Sequence, residues 1–286
     1  MNNRFAKIAY GVGNLGQALF FNTIQSFLIF FYTDTVRLDP RLVGLAFAIS
    51  YGVWNAINDP LIGVLSDRTR TRWGRRIPYI AFGTPITLIL FILIWSPPLG
   101  GQPLTNPSNT GIFLYFALVI ALFDLAYTAV SVTYTAIFPE AFEHIEVRTE
   151  VSIYRQVAAM VGTALGLAVM PLLVSSFSAR AGELGGWRGA GIVLGLIGAA
   201  AFGFSLLGSR ERKEVSKEEA MPILPALKET LTNRSFLTFA AANLMISFIW
   251  SWLSAMVPFF TKYVLGVGTE QMSLIFVGMF LTSMAL

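Results

Sequence analysis

Three charged side chains fall inside long apolar stretches of this chain: Asp59, Asp124 and Arg155. A charge in a hydrocarbon core is costly, by about 3 kcal/mol near its centre, so each is a functional hypothesis by default. Asn55 and Asp59 are four residues apart and share a helix face, with Asn58 beside them. Pro60 has no backbone N–H, so the carbonyl of Ala56 loses its helical partner. A carboxylate, two amide oxygens and a free carbonyl within about a turn suit a hard cation such as sodium. A carboxylate removed from water can equally carry a proton. The plainer reading is a kinked helix whose acid pairs with a neighbouring helix.

Asp124 and Thr128 are again four apart on one face, with Tyr127 next to them. Arg155 could snorkel to the membrane surface, balance an acid, or bind an oxygen-rich solute through its planar donor fork. The first apolar stretch adds Asn14, Gln17, Asn22 and Gln25, of which Asn14, Gln17 and Gln25 fall near one face. Amides there suit hydroxyl-rich solutes and also suit helix–helix hydrogen bonds.

These residues need spanning helices to position them. Of 286 residues, 55% are hydrophobic and only 13% are charged, about half the charge of a soluble chain. The mean hydropathy is +0.65. The expectation is an all-α polytopic membrane protein. Eight apolar segments are expected, at about 8–33, 40–66, 78–97, 111–138, 152–177, 188–208, 236–261 and 270–286. Most reach the roughly 20 residues that a span requires. The start of the chain leads into a run too long for a signal peptide, with no small-residue cleavage site. Cysteine is absent, which excludes disulfides and thiol catalysis. In span 5, Gly162 and Gly166 form a G-x-x-x-G pair; Gly191, Gly195, Gly198 and Gly203 line span 6. Their expected role is close helix packing.

Charge sets the orientation. With the N-terminus inside, fourteen Lys and Arg fall on the inner side and five on the outer, leaving Arg155 within a span. The positive-inside rule therefore places the N-terminus in the cytoplasm. The pI of 9.4 follows from this topology and needs no nucleic-acid partner. Residues 209–235 mix both signs of charge after six spans, as a cytoplasmic linker would, with a short surface helix expected over 224–231. There is also a weak repeat. Phe30-Phe31 and Phe47 in the first spans match Phe259-Phe260 and Phe276 in the seventh and eighth at the same spacing. That pattern agrees with two related halves.

FFYTD at 30–34, WNAINDPLIG at 54–63, SDRTRTRWGRRIPYI at 66–80, FPEAF at 138–142 and VRTEVSIYRQ at 147–156 resemble the glycoside–pentoside–hexuronide cation symporters. These include the melibiose carriers and belong to the major facilitator superfamily. The resemblance implies a twelve-helix carrier that alternates access between two six-helix bundles. It implies a sugar-like solute coupled to sodium or a proton, and no other cofactor. Gly63, Asp67, Arg68, Gly74, Arg75 and Arg76 match the superfamily's loop motif, whose acid and arginines are thought to latch the halves in one state. In the melibiose-type pattern two acids on span 2 serve the cation. Asp59 matches the second and Asn55 replaces the first, while Thr128 matches a cation-site threonine and Arg155 a sugar-binding arginine. The pattern's two sugar-binding acids fall at Ala18 and Ser131, so a galactoside is not implied. Asp124 replaces a glycine, which suggests that the second acid has moved from helix 2 to helix 4.

The resulting expectation is a six-helix bundle over 1–208, a linker over 209–235, and the first two spans of an incomplete second bundle over 236–286. It is a multi-pass inner-membrane carrier, monomeric when complete. The cation group is Asp59, Asn55, Asn58, Asp124 and Thr128. The solute group is Arg155, Tyr127, Gln17 and Asn14. Rival readings are a lysolipid carrier and a non-transporting sensor or fragment of transporter ancestry. An intramembrane enzyme is disfavoured: His144 is the only histidine, and no H-E-x-x-H motif is present.

Overall fold

A computed structural model describes residues 3–99, 103–211 and 232–285. Among them every regular element is helical. Helix α1 spans Arg4–Phe30, opened by the Asn3 side chain, which accepts from the Phe5 N–H at 3.0 Å. It runs on into a π turn over Phe31–Thr35. The second span is interrupted. It comprises α2 (Pro40–Phe47), a π stretch (Ala48–Trp54) and α3 (Asn55–Arg68). Helix α4 covers Ile77–Ile94 and α5 Thr110–Ala141, the latter capped by Asn109. Helix α6 (Ile145–Ala164) passes through a π turn into α7 (Met170–Ser205). Gly182, at φ 73°, breaks α7 and turns the fifth span into the sixth. Helix α8 spans Arg234–Phe259 and α9 Thr269–Ala285.

All eight expected segments are helical. Five continuous runs are long and apolar enough to cross a membrane, one of them the 64-residue run over Ile145–Gly208 that holds two spans. The loop expected between 138 and 152 shrinks to Phe142, Glu143 and His144, because the charged residues Glu146, Arg148 and Glu150 extend α6 instead. Most of the expected linker, including the proposed surface helix over 224–231, lies outside the described residues.

Helix α1 is the packing centre and touches α6, α7 and α8. Small residues permit this: a Cβ placed on Gly162 would lie 2.3 Å from the Leu15 carbonyl oxygen. Gly191, Gly195 and Gly198 press against Trp95, Leu88 and Phe20, whereas Gly203 faces open space and does not pack as expected. Tyr10 and Tyr134 clasp α1 to α5. Their rings stack at 4.7 Å, and each hydroxyl donates to the other's backbone carbonyl, at 2.6 and 2.7 Å. These bonds satisfy two buried hydroxyls at a depth where water cannot.

The weak repeat has a geometric counterpart. Both α1 and α8 end in a five-residue π turn, starting at Phe31 and Phe260. Six residues further on, Arg37 and Gly266 each take φ 66°. The two helices meet at this end. Phe30 packs edge-on to Phe259 at 5.2 Å, Lys262 and Tyr263 both bond Asp34, and Gln25 donates to Ser251 at 2.5 Å. From Arg234 to Trp250, α8 is almost entirely exposed, so the two helices splay apart towards the opposite, arginine-rich end.

Candidate ion and solute site

The five residues expected to serve a cation converge between α3 and α5. Asp124 is 1% exposed. Its two oxygens accept from the side-chain amides of Asn55 and Asn58, each at 3.1 Å. Thr128, one turn further along α5, donates to Asp59 at 3.1 Å. The helical spacing explains the register, since Asn55, Asn58 and Asp59 present one face of α3 to Asp124 and Thr128 on α5. Two features bear on a cation. The Oδ1 of Asn58 is fully buried without a hydrogen-bond partner. Asp59 is exposed, so its carboxylate borders open space. Two carboxylates, two amide oxygens and a hydroxyl are the hard donors that sodium prefers. An unsatisfied acceptor in a buried site costs about 1–3 kcal/mol unless something fills it.

The second cluster lies between α1 and α6, with Tyr127 of α5 at its edge. Arg155 donates from Nε to Asn14 Oδ1 at 3.0 Å and stacks its guanidinium over the Phe138 ring at 4.5 Å. Because α6 begins at Ile145, Arg155 sits about 15 Å into the helix. Its side chain turns inward, so neither snorkelling nor pairing with Asp124 describes it. It lines a cleft of about 550 Å³ with Asn14, Gln17, Ala18, Asn22 and Tyr127. Asn22 also bonds Thr163 of α6 at 3.1 Å. Gln25, expected on the same face as Asn14 and Gln17, lies outside this cleft and borders α8 instead. Ala18 lines the wall and Ser131 is buried, so the positions of the two missing acids supply no charge here.

Tyr127 joins the two clusters. It lies one turn from Asp124, stacks on Phe123 at 5.7 Å, and donates to the Gln17 backbone carbonyl at 3.0 Å. A shift of α5 at the carboxylates therefore moves a wall of the cleft.

At the arginine-rich end, Asp67 pairs with Arg76 at 2.7 Å and lies 3.9 Å from Arg75. Both arginines also pair with Glu140 of the FPEAF stretch. Arg68 has no ion pair among the described residues, and Gly63 faces open space; both stand outside this network. Glu211 was not expected here. Its carboxylate accepts the backbone N–H groups of Arg75, Arg76 and Ile77, all at 2.7 Å, where α4 begins. Gly74, at φ 121°, leaves the room, since a Cβ there would sit 2.7 Å from that carboxylate.

Fold and site together define a polytopic, all-α membrane protein of the major facilitator type with two polar clusters among its spans. Residues 9–286 match the family model described as MFS/sugar transport protein, and the chain belongs to that family. It is 34% identical to an uncharacterized symporter of Synechocystis over 79% of this chain and 40% of that protein. It is 25% identical to the isoprimeverose transporter of Lactiplantibacillus pentosus over 90% of this chain and 52% of that one. It is also 25% identical to the sodium-dependent lysophosphatidylcholine symporter 1 of mouse, over 94% and 55% respectively. The chain thus spans about half the length of the curated relatives it matches. The family and these relatives are transporters and not enzymes.

Proposed function

We propose that this chain forms the cation-coupling and solute-binding part of a symporter for a small hydroxyl-bearing solute, sugar-like in chemistry. The observation that carries the reading is the Tyr127 bridge between the carboxylate cluster and the Arg155 cleft. Asp59, Asn55, Asn58, Asp124 and Thr128 hold sodium or a proton. Arg155, Asn14, Gln17 and Tyr127 hold the solute, the guanidinium binding two oxygens in parallel. Asp67, Arg75, Arg76 and Glu140 form the conformational latch, with Gly74 admitting Glu211. The protein lies in the inner membrane with its N-terminus and arginine-rich end in the cytoplasm. Residues 209–235 link a first six-helix half, 1–208, to the start of a second, 236–286. The contact of α1 with α8 at the far end, and their divergence towards the arginines, support a state open to the cytoplasm.

A lysophospholipid is the rival solute. The cleft holds a cation and, with alanine at position 18, no carboxylate, which suits a phosphate. Thermal unfolding of the purified chain, with sugars or lysophosphatidylcholine and with sodium or choline chloride, separates these readings. A sodium-dependent rise with a sugar supports the first. A rise with the lysolipid alone supports the second, and no sodium-dependent rise with any solute refutes coupling to sodium and leaves the proton as the coupling ion.

A further inference from the structure

One sizeable cleft belongs to neither polar cluster. It has a volume of about 650 Å³, lies between α4 and α5, and is walled by apolar side chains such as Phe82, Ile86, Leu90 and Leu122. Phe82, Ile86 and Leu122 are exposed, so the groove opens outward from the bundle. It starts at Thr69 and Tyr79, whose hydroxyls bond each other at 2.7 Å, and ends near Leu90. From Tyr79 to Leu90 the helix rises about 16 Å. That matches one leaflet of a hydrocarbon core about 30 Å thick. The groove is therefore as long as one leaflet's acyl chains and is open to them.

Its mouth is cationic. Arg70 donates to the backbone carbonyls of Asp67 and Thr69, at 2.6 and 3.1 Å, which holds its guanidinium beside Thr69. Arg72 stacks over Trp73 at 4.9 Å, and Trp73 packs on Phe82 of the groove wall at 5.6 Å. Both arginines are exposed, and neither has an ion pair among the described residues. Asp67, the acid three residues before Arg70, is already engaged by Arg75 and Arg76. Tryptophan at such a depth sits at the headgroup level, as interfacial aromatics do. A groove for apolar chains below two arginines that have no ion pair among the described residues complements one class of molecule.

We propose that this groove is a binding site for an anionic phospholipid of the adjoining leaflet. Its phosphate and anionic headgroup contact Arg70 and Arg72, its glycerol region meets the Thr69 and Tyr79 hydroxyls, and one acyl chain fills the groove along α4. The solute site lies on other faces of the bundle, so the proposal goes beyond the transport reading and does not depend on it. Such lipid would brace the loop that carries Arg75 and Arg76.

Native mass spectrometry of the purified chain with equimolar phosphatidylglycerol and phosphatidylcholine tests this. Wild type should retain phosphatidylglycerol preferentially. Loss of two arginines near a headgroup should weaken that retention about 30-fold, so Arg70→Ala with Arg72→Ala should hold both lipids alike. Ala129→Trp, which fills the groove, should lower retention of phosphatidylglycerol while leaving the arginines in place. Arg41→Ala, an exposed arginine at the opposite end, should behave as wild type. Equal retention of the two lipids by wild type overturns the proposal, as does undiminished preference in the double variant. A loss in Arg41→Ala equal to that of the double variant also overturns it, because charge alone would then account for the effect.

Discussion

Replacing Asp124 separates its structural work from its ionic work. Its carboxylate accepts from the amides of Asn55 and Asn58, and it is almost fully buried. In Asp124→Asn one oxygen becomes an NH2 group facing an amide donor. The orphaned Oδ1 of Asn58 can meet it by a flip of that side chain, which restores both bonds. The expected cost is about 1 kcal/mol or less, close to that of one neutral hydrogen bond. Asp124→Leu has no acceptor and strands the buried Asn58 donor at about 1–3 kcal/mol, with a smaller cost at the part-buried Asn55 donor. For a chain of this length each kcal/mol corresponds to about 2–4 °C. Asp124→Asn should therefore melt within about 4 °C of wild type, and Asp124→Leu several degrees lower. Both should lose the sodium-dependent rise in melting temperature, since each removes a full negative charge from the proposed ion site. The assay is thermal unfolding in detergent with sodium or choline chloride. Equal melting temperatures for the two variants would refute the hydrogen-bond argument. A wild-type sodium response in Asp124→Asn would show that this acid does not hold the ion.

Three other outcomes are expected. Arg155→Lys should weaken solute binding at least tenfold in calorimetry while leaving the fold intact, because a point charge cannot reproduce the paired donors of a guanidinium; unchanged affinity would remove Arg155 from the solute site. Glu211→Ala should destabilise the chain by about 1–2 kcal/mol through loss of a helix cap, and limited proteolysis should then cut sooner near residue 211; an unchanged digestion pattern would count against the cap. Since the chain has no cysteine, Arg41→Cys and Arg70→Cys offer single labels; an impermeant maleimide on intact cells should label the first and spare the second, and the reverse would invert the topology.

The sequence makes the cation cluster legible because helical spacing alone puts Asn55, Asn58 and Asp59 on one face, and Asp124 and Thr128 on another. That these faces meet is a matter of packing between helices, and no spacing states it. Arg155 shows the same limit. Its chemistry is evident from its type, but its partner Asn14 lies on a helix 141 residues earlier in the chain. The loop between the fourth and fifth spans is shorter than the sequence suggests, because Glu146, Arg148 and Glu150 look like loop charges. They occupy the first turns of α6, where a helix end meets the surface. Glu211 was hidden among alternating charges, and only the three N–H groups it caps set it apart. The clasp of Tyr10 with Tyr134 has no local signal, since two tyrosines in apolar runs read as ordinary core.

The meeting of α1 with α8 has a mechanical consequence. Phe30 touches Phe259, and Asp34 touches Tyr263; by chain spacing each is the other's counterpart. Contacts between counterparts mark a local near-two-fold axis, the arrangement of an isologous interface. Such a contact can serve as a fulcrum, because a small rotation about it exchanges neighbours symmetrically instead of prying one side apart. Asn14 lies sixteen residues below Phe30, a lever arm of about 24 Å. A rocking of about 10° at the fulcrum would then change the gap beside Asn14 and Arg155 by about 4 Å, which exceeds the diameter of a water molecule.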